Sequence, residues 1–173
     1  DDPAFKALDF SNLKICVSGA APFSVEAIRA LESVVGPGKI LEVYGMTEAS
    51  PLLTMNPFYG EKKAGSVGVP IQKTMIRLVD IETGTEAVGA NAEGEIIAAG
   101  PQIMKGYHNK PDETAQALKP FDGETYFYTG DIGIMDEDGY LYIVDRAKDM
   151  LIVGGFKVYS RQVEETLYQH EAV

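Results

Sequence analysis

Five consecutive residues carry unusual chemical variety: Tyr44, Gly45, Met46, Thr47 and Glu48. They offer an aromatic ring, a close backbone approach, a hydroxyl and a carboxylate. A ring can stack on a nucleobase. A Thr–Glu pair can hold a phosphate oxygen and a hard cation such as Mg²⁺, which prefers oxygen ligands. The same residue types also occur where an ordinary strand ends in a turn. Farther along, Asp131 follows Thr129 and Gly130, and a carboxylate there can accept two hydrogen bonds from a ribose diol; the commoner role for such an Asp is to cap a turn. Arg146 can reach the same sugar or a phosphate, or form a surface ion pair. His108 and His170 have no partner spacing and read as structural. Ser18 lacks the local context of a triad nucleophile. No Gly-x-x-x-x-Gly-Lys-Ser/Thr run occurs, which excludes a P-loop NTPase.

These residues need elements to position them. At 13–17, Leu13, Ile15 and Val17 alternate with Lys14 and Cys16, which predicts a strand with one well-buried face, Cys16 being a core residue. Ser18, Gly19, Ala20, Ala21 and Pro22 follow as a small-residue loop. Ser24 is a good N-cap, and Phe23 and Ile28 have staple spacing. Ile28, Leu31 and Val35 share a helical face, and Gly36-Pro37-Gly38 ends the helix. Residues 40–43 return as a strand. Strand, helix, strand is an α/β crossover, whose ligands bind at the carboxyl ends of its strands. Both the Ser18–Pro22 loop and Tyr44–Glu48 fall at such ends.

From Gly65 the pattern changes to short strands, at 75–80 and 95–99, separated by glycines. This predicts an antiparallel sheet or small barrel. A short helix is expected at 111–118, with Pro111 in its first turn. Residues 128–158 read as two hairpins around a charged break. The first turns at Asp138-Gly139, the second at Gly154-Gly155, and the break is 145–149. Four charges in that break suit either a solvated linker or a swivel facing a ligand.

Composition sets the limits. The 173 residues, 45% of them apolar, suffice for one domain with an appendage. A net charge of −11 argues against nucleic acid or an anionic membrane as partner. One cysteine allows no intrachain disulfide. No apolar run approaches the ~18 residues of a membrane span, and the N-terminus has no signal-peptide character. A cytoplasmic or peripheral location is expected. Both ends look cut: there is no initiator Met, and the helix from Ser160 reaches Val173 without a stop signal.

Five motifs occur in order: Ser-Gly-Ala-Ala-Pro (18–22), Tyr-Gly-Met-Thr-Glu (44–48), Gly-Glu-Ile (94–96) followed by Met-Lys-Gly-Tyr (104–107), Tyr-Thr-Gly-Asp (128–131) and Asp-Arg-Ala-Lys-Asp (145–149). In this the chain strongly resembles the adenylate-forming superfamily of acyl- and aryl-CoA synthetases, peptide-synthetase adenylation domains and firefly-type luciferases. Residues 154–164 look most like a bacterial or archaeal fatty-acyl-CoA ligase. The resemblance implies three parts: the end of a large α/β subdomain (1–64), a β-barrel-like subdomain (65–147) and the start of a small α+β C-terminal domain (148–173). It implies ATP or AMP, Mg²⁺, CoA and a fatty acid as ligands. Gly19, Ala20 and Ala21 would line the adenine and acyl pockets, with Gly45, Met46 and Ile143 beside the nucleotide. Tyr44 would stack on adenine, Thr47 bind the α-phosphate and Glu48 the Mg²⁺. Asp131 and Arg146 would hold the ribose, Lys148 would be the hinge of the small domain, and Gly154 and Gly155 would border the pantetheine channel. The superfamily's triphosphate loop would lie upstream of this chain and its catalytic lysine downstream. The isolated chain is therefore expected to be inactive and to self-associate. A non-catalytic nucleotide-binding or scaffolding module is the alternative, and a full sequence bearing that loop and lysine would decide for the enzyme.

Overall fold

The computed structural model describes residues 2–21, 23–154 and 156–167. A short helix α1 (Pro3–Lys6) is capped by Asp2, whose carboxylate accepts the Ala4 N–H. Strand β1 (Cys16–Ser18), helix α2 (Val25–Val35) and strand β2 (Ile40–Gly45) form the expected crossover, with β1 and β2 parallel. Ser24 caps α2 through its hydroxyl, which accepts the Ala27 N–H at 3.2 Å. Ile28, Val35 and Ile40 make a small core joined by Phe23, Leu13 and Cys16.

One expectation fails here. The strand is shorter than 13–17, and Val17 is 62% exposed. The inward residues are Leu13 and Cys16 rather than the odd-numbered set. Leu13 lies before the strand, its N–H donating back to Phe10 O, so a strict two-residue period counted from there puts Val17 on the wrong face.

Strand β3 (Leu52–Met55) pairs antiparallel with β2, and β4 (Val69–Pro70) pairs with β3. The first sheet thus runs β1-β2-β3-β4, taking two residues from beyond Gly65. The second sheet is an antiparallel half-barrel of five strands. It contains β5 (Met75–Val79), β6 (Glu93–Ala99), β7 (Leu118–Phe121), β8 (Glu124–Met135) and β9 (Leu141–Arg146). β8 is long enough to serve two partners on one side: its first half pairs with β7 and its second half with β9. Helix α3 (Pro111–Ala117) begins at Pro111, as expected.

The two sheets share one core. Tyr44 and Leu53 from the first, with Ala49 from the turn between β2 and β3, pack with Ile76, Leu78, Ile96, Ala98 and Leu141 from the second. Leu53, Ile96 and Leu141 are fully buried, and each such side chain contributes about 1.5–3 kcal/mol. Residues 66–68 seal the seam. The Val67 N–H donates to Leu141 O and the Leu141 N–H to Gly68 O. Packing and hydrogen bonds therefore fix the end of β2 against β8 and β9.

The first hairpin turns as expected at Asp138-Gly139, where Asp136 accepts the N–H groups of Asp138 and Tyr140. The charged break is shorter than 145–149. Asp145 and Arg146 complete β9, and only Ala147–Asp149 leave it, as one 3-10 turn. Strands β10 (Leu151–Val153) and β11 (Phe156–Val158) form the second hairpin, and helix α4 (Ser160–Leu167) follows. Gly155, Pro22 and His170 lie outside the described residues. The C-terminal part touches the half-barrel through Tyr159, whose hydroxyl donates to Glu93.

Candidate nucleotide site

A cavity of about 380 Å³ opens where the carboxyl ends of β1 and β2 meet β8 and β9. It is lined by Ala20, Ala21, Tyr44, Gly45, Met46, Asp131, Ile143 and Arg146, eight of the expected site residues, drawn from four separate stretches of chain. A broader, open depression of about 630 Å³ beside the C-terminal end of α2 holds none of them.

The cavity's polar centre is Asp131. β8 and β9 set it opposite Arg146 in register. The Tyr44 hydroxyl donates to Asp131 Oδ2 at 2.7 Å, and Arg146 Nε lies 3.6 Å from Oδ1. One carboxylate oxygen is thus occupied by the protein, while the other faces a largely exposed guanidinium. Burial pushes the Asp131 carboxyl above its usual range; the Tyr44 hydrogen bond and the charges of Arg146 and Lys148 oppose that rise. Burial and the neighbouring Asp131 raise the Tyr44 phenol well above its ordinary value, so Tyr44 remains a donor at neutral pH.

The turn that presents Asp131 is itself tethered. Gly130 has φ 73°, a left-handed conformation that favours glycine. The Gly130 N–H donates to Glu95 Oε1 at 3.1 Å, and the Thr129 hydroxyl donates to Ile96 O at 2.8 Å. The Asp131 N–H then donates to Thr129 Oγ1. Burial raises the Glu95 carboxyl above its usual range, partly offset by the Gly130 N–H and by Lys119.

At the end of β2 the close approach expected of Gly45 is present. A Cβ there would lie 1.9 Å from the Pro51 carbonyl oxygen. The following 3-10 turn, Thr47–Ala49, exposes Thr47 and half-buries Glu48. Glu48 Oε1 accepts the Tyr107 hydroxyl at 2.9 Å. Burial and then Glu48 raise the Tyr107 phenol. Among the described residues no cluster of three or more His, Cys, Asp or Glu side chains could cage a metal. A single half-buried carboxylate beside a hydroxyl does fit Mg²⁺, which takes one or two carboxylates together with phosphate oxygens and water.

The remaining expected residues lie elsewhere. Gly19 packs against Val43, where a Cβ would meet Val43 Cγ2 at 2.6 Å, and it does not line the cavity. Thr47, Glu48, Lys148 and Gly154 also lie outside its lining. Lys148 is exposed in the 3-10 turn after β9, and Gly154 has φ 61° in the tip of the second hairpin. Glu42, Asp145 and Ser160 line the cavity without having been singled out. Glu42 was legible, since it precedes Tyr44 by two on a strand and so shares its face. Ser160, whose hydroxyl donates to Asp145 Oδ2 at 3.0 Å, arrives only through tertiary folding.

A family model described as "AMP-binding enzyme" matches residues 1–108. The long-chain-fatty-acid–CoA ligase of Bacillus subtilis is 47% identical over 99% of this chain and 30% of that protein. The 4-coumarate–CoA ligase 2 of Oryza sativa is 38% identical over 99% of this chain and 30% of that protein. Among solved structures, ATP-bound MatB from Rhodopseudomonas palustris superimposes with a TM-score of 0.80 at 36% identity, covering 87% of this chain and 29% of that one. The chain thus spans about 30% of the length of the curated relatives it matches. With 108 of its 173 residues matched by the family model, the chain belongs to the AMP-binding enzyme family.

Proposed function

We propose that this chain is the nucleotide-holding and domain-joining portion of an ATP-dependent acyl-CoA ligase acting on fatty acids. The observation that carries the reading is the Tyr44–Asp131–Arg146 cluster in a cavity at the strand ends. Residues 1–64 belong to a large α/β subdomain, 65–147 to the barrel-like one and 148–173 to a small C-terminal domain.

In the first half-reaction a fatty-acid carboxylate oxygen attacks the α-phosphorus of ATP. The bond to the β-phosphate oxygen breaks, and pyrophosphate leaves. In the second, the CoA sulfur attacks the acyl carbonyl carbon, and AMP leaves with the bonding pair. Tyr44 offers its ring to adenine, while Asp131 and Arg146 orient the ribose. Thr47 holds an α-phosphate oxygen, and Glu48 would hold Mg²⁺, which when bound would supply neutralisation of phosphate charge. Gly19, Ala20, Ala21, Gly45, Met46 and Ile143 shape the walls. Gly154 and Gly155 border the pantetheine path, and Lys148 is the pivot between the two half-reactions. A fatty acid is favoured over an aryl acid because identity is higher to the fatty-acid ligase than to the coumarate ligase.

The experiment is pyrophosphate exchange by a full-length ligase carrying this sequence. It is run with medium- and long-chain fatty acids beside 4-coumarate, followed by thioester formation with CoA. Exchange with fatty acids, lost in Glu48→Ala, is the expected result. Exchange with aryl acids alone would overturn the substrate, and no exchange with any acid would overturn the activity.

A further inference from the structure

The geometry points to Tyr107 as a positioning residue that fixes the Glu48 carboxylate for a divalent cation. This rests on the role proposed above for Glu48.

Glu48 is gripped twice by one segment. The Met104 N–H donates to the Glu48 backbone carbonyl at 2.8 Å, and the Tyr107 hydroxyl donates to its Oε1 at 2.9 Å. The contact spans 59 residues of sequence, so it is purely tertiary. The segment is anchored at both ends. At one end the Gln102 amide donates to Leu52 O at 3.2 Å and to Thr74 Oγ1 at 2.7 Å. At the other the Tyr107 N–H donates to Thr114 Oγ1 at 2.9 Å, and Thr114 donates in turn to Lys110 O. Gly106, with φ 146°, lets the chain turn beneath Thr114. The phenol therefore stands on a braced backbone.

The bond does something specific for metal chemistry. A glutamate side chain on a turn has several rotamers open to it, and holding one of them costs conformational entropy. Mg²⁺ demands near-octahedral geometry and tolerates a misplaced ligand poorly. A hydroxyl on Oε1 selects the rotamer in advance. Oε2 has no protein hydrogen-bond donor among the described residues, which leaves it for a cation. A neutral phenol donor also leaves the carboxylate its negative charge. Outer partners of metal ligands commonly change affinity by about tenfold or more when removed.

The test uses a full-length ligase carrying this sequence, with ATP present. Mn²⁺ binding is read by water-proton relaxation and the Mg²⁺ dependence of pyrophosphate exchange in parallel. The variants are Tyr107→Phe, Glu48→Gln and both together, with thermal melting and ATP affinity in metal-free buffer as controls. Tyr107→Phe is expected to weaken Mn²⁺ about tenfold, raise the Mg²⁺ needed for half-maximal exchange equally, and leave metal-free ATP affinity unchanged. The double variant should be no weaker than Glu48→Gln alone. A Tyr107→Phe protein with wild-type Mn²⁺ affinity, beside a weakened Glu48→Gln, overturns this inference and spares the Glu48 assignment. Independent losses that multiply in the double variant also overturn it. Unchanged Mn²⁺ binding in Glu48→Gln overturns the Glu48 assignment and the inference with it.

Discussion

Asp131 accepts a protein hydrogen bond on Oδ2, and its Oδ1 faces the largely exposed Arg146 in the cavity lining, a suitable arrangement for one strong contact to a sugar hydroxyl. A hydrogen bond to a charged group contributes roughly 1.5–3 kcal/mol. Asp131→Ala should therefore weaken ATP binding to the full-length ligase on the order of tenfold to a hundredfold. Calorimetry showing unchanged affinity would refute the ribose role. Glu95, behind the same turn, gives a pH prediction. Burial lifts its carboxyl above the unfolded-state value. A group so shifted favours the fold below the unfolded-state pKa, and that contribution is lost as pH rises through the folded-state value. Glu95→Gln keeps an acceptor for Gly130 without the buried charge. Its melting temperature relative to wild type should therefore improve from acid to neutral pH; a relative loss over that span would contradict the account. The two residues differ in how readable they were. Asp131 stood out because it sits in a Thr-Gly-Asp run. Glu95 entered only within the Gly-Glu-Ile motif and with no role, because its bond to Gly130 spans 35 residues and only the β6–β8 pairing creates it.

At the scale of elements, what local chemistry dictates was legible. Ser24 caps α2, and Asp138-Gly139 turns a hairpin, each within a few residues of its cause. Strands β3 and β4 escaped notice because they are short and exist by pairing with β2 and with each other. The 3-10 turn Ala147–Asp149 combines both kinds of feature. Its charge marked it, but its length is set by β9, whose pairing with β8 continues to Arg146. After this turn the chain is held to the half-barrel by the Tyr159 hydroxyl on Glu93 and by Ser160 on Asp145. In the domain swing proposed above, these bonds would have to break or be replaced, with the backbone change at Lys148. Proline would fix φ near −65°, which suits a 3-10 turn and forbids a different state. Lys148→Pro in the full-length ligase should preserve one half-reaction and impair the other at an unchanged melting temperature. Equal loss of pyrophosphate exchange and thioester formation would assign Lys148 to binding instead.

For the whole molecule, the balance between apolar surface and charge decides how the 173-residue chain behaves alone. Leu8, Val17, Leu151, Val153 and Leu167 are all more than half exposed. Among the described residues β1 pairs only with β2, so one edge of the first sheet keeps free N–H and C=O groups beside Val17. The β10–β11 hairpin is a separate two-stranded sheet, marginal unless something covers Leu151 and Val153. Exposed apolar groups and a free edge favour association. The net charge of −11 opposes it, but that repulsion is screened beyond about 10 Å at 0.1 M salt, whereas apolar contact is not. The isolated chain should therefore form dimers or larger species that increase with salt, with the hairpin or β1 edge as the contact. Light scattering across concentration and ionic strength reads this directly. Val17→Lys should lower the association if the edge is used, and Leu151→Lys with Val153→Lys if the hairpin is. A strictly monomeric chain at high concentration and high salt would show that these apolar groups are too dispersed to form an interface.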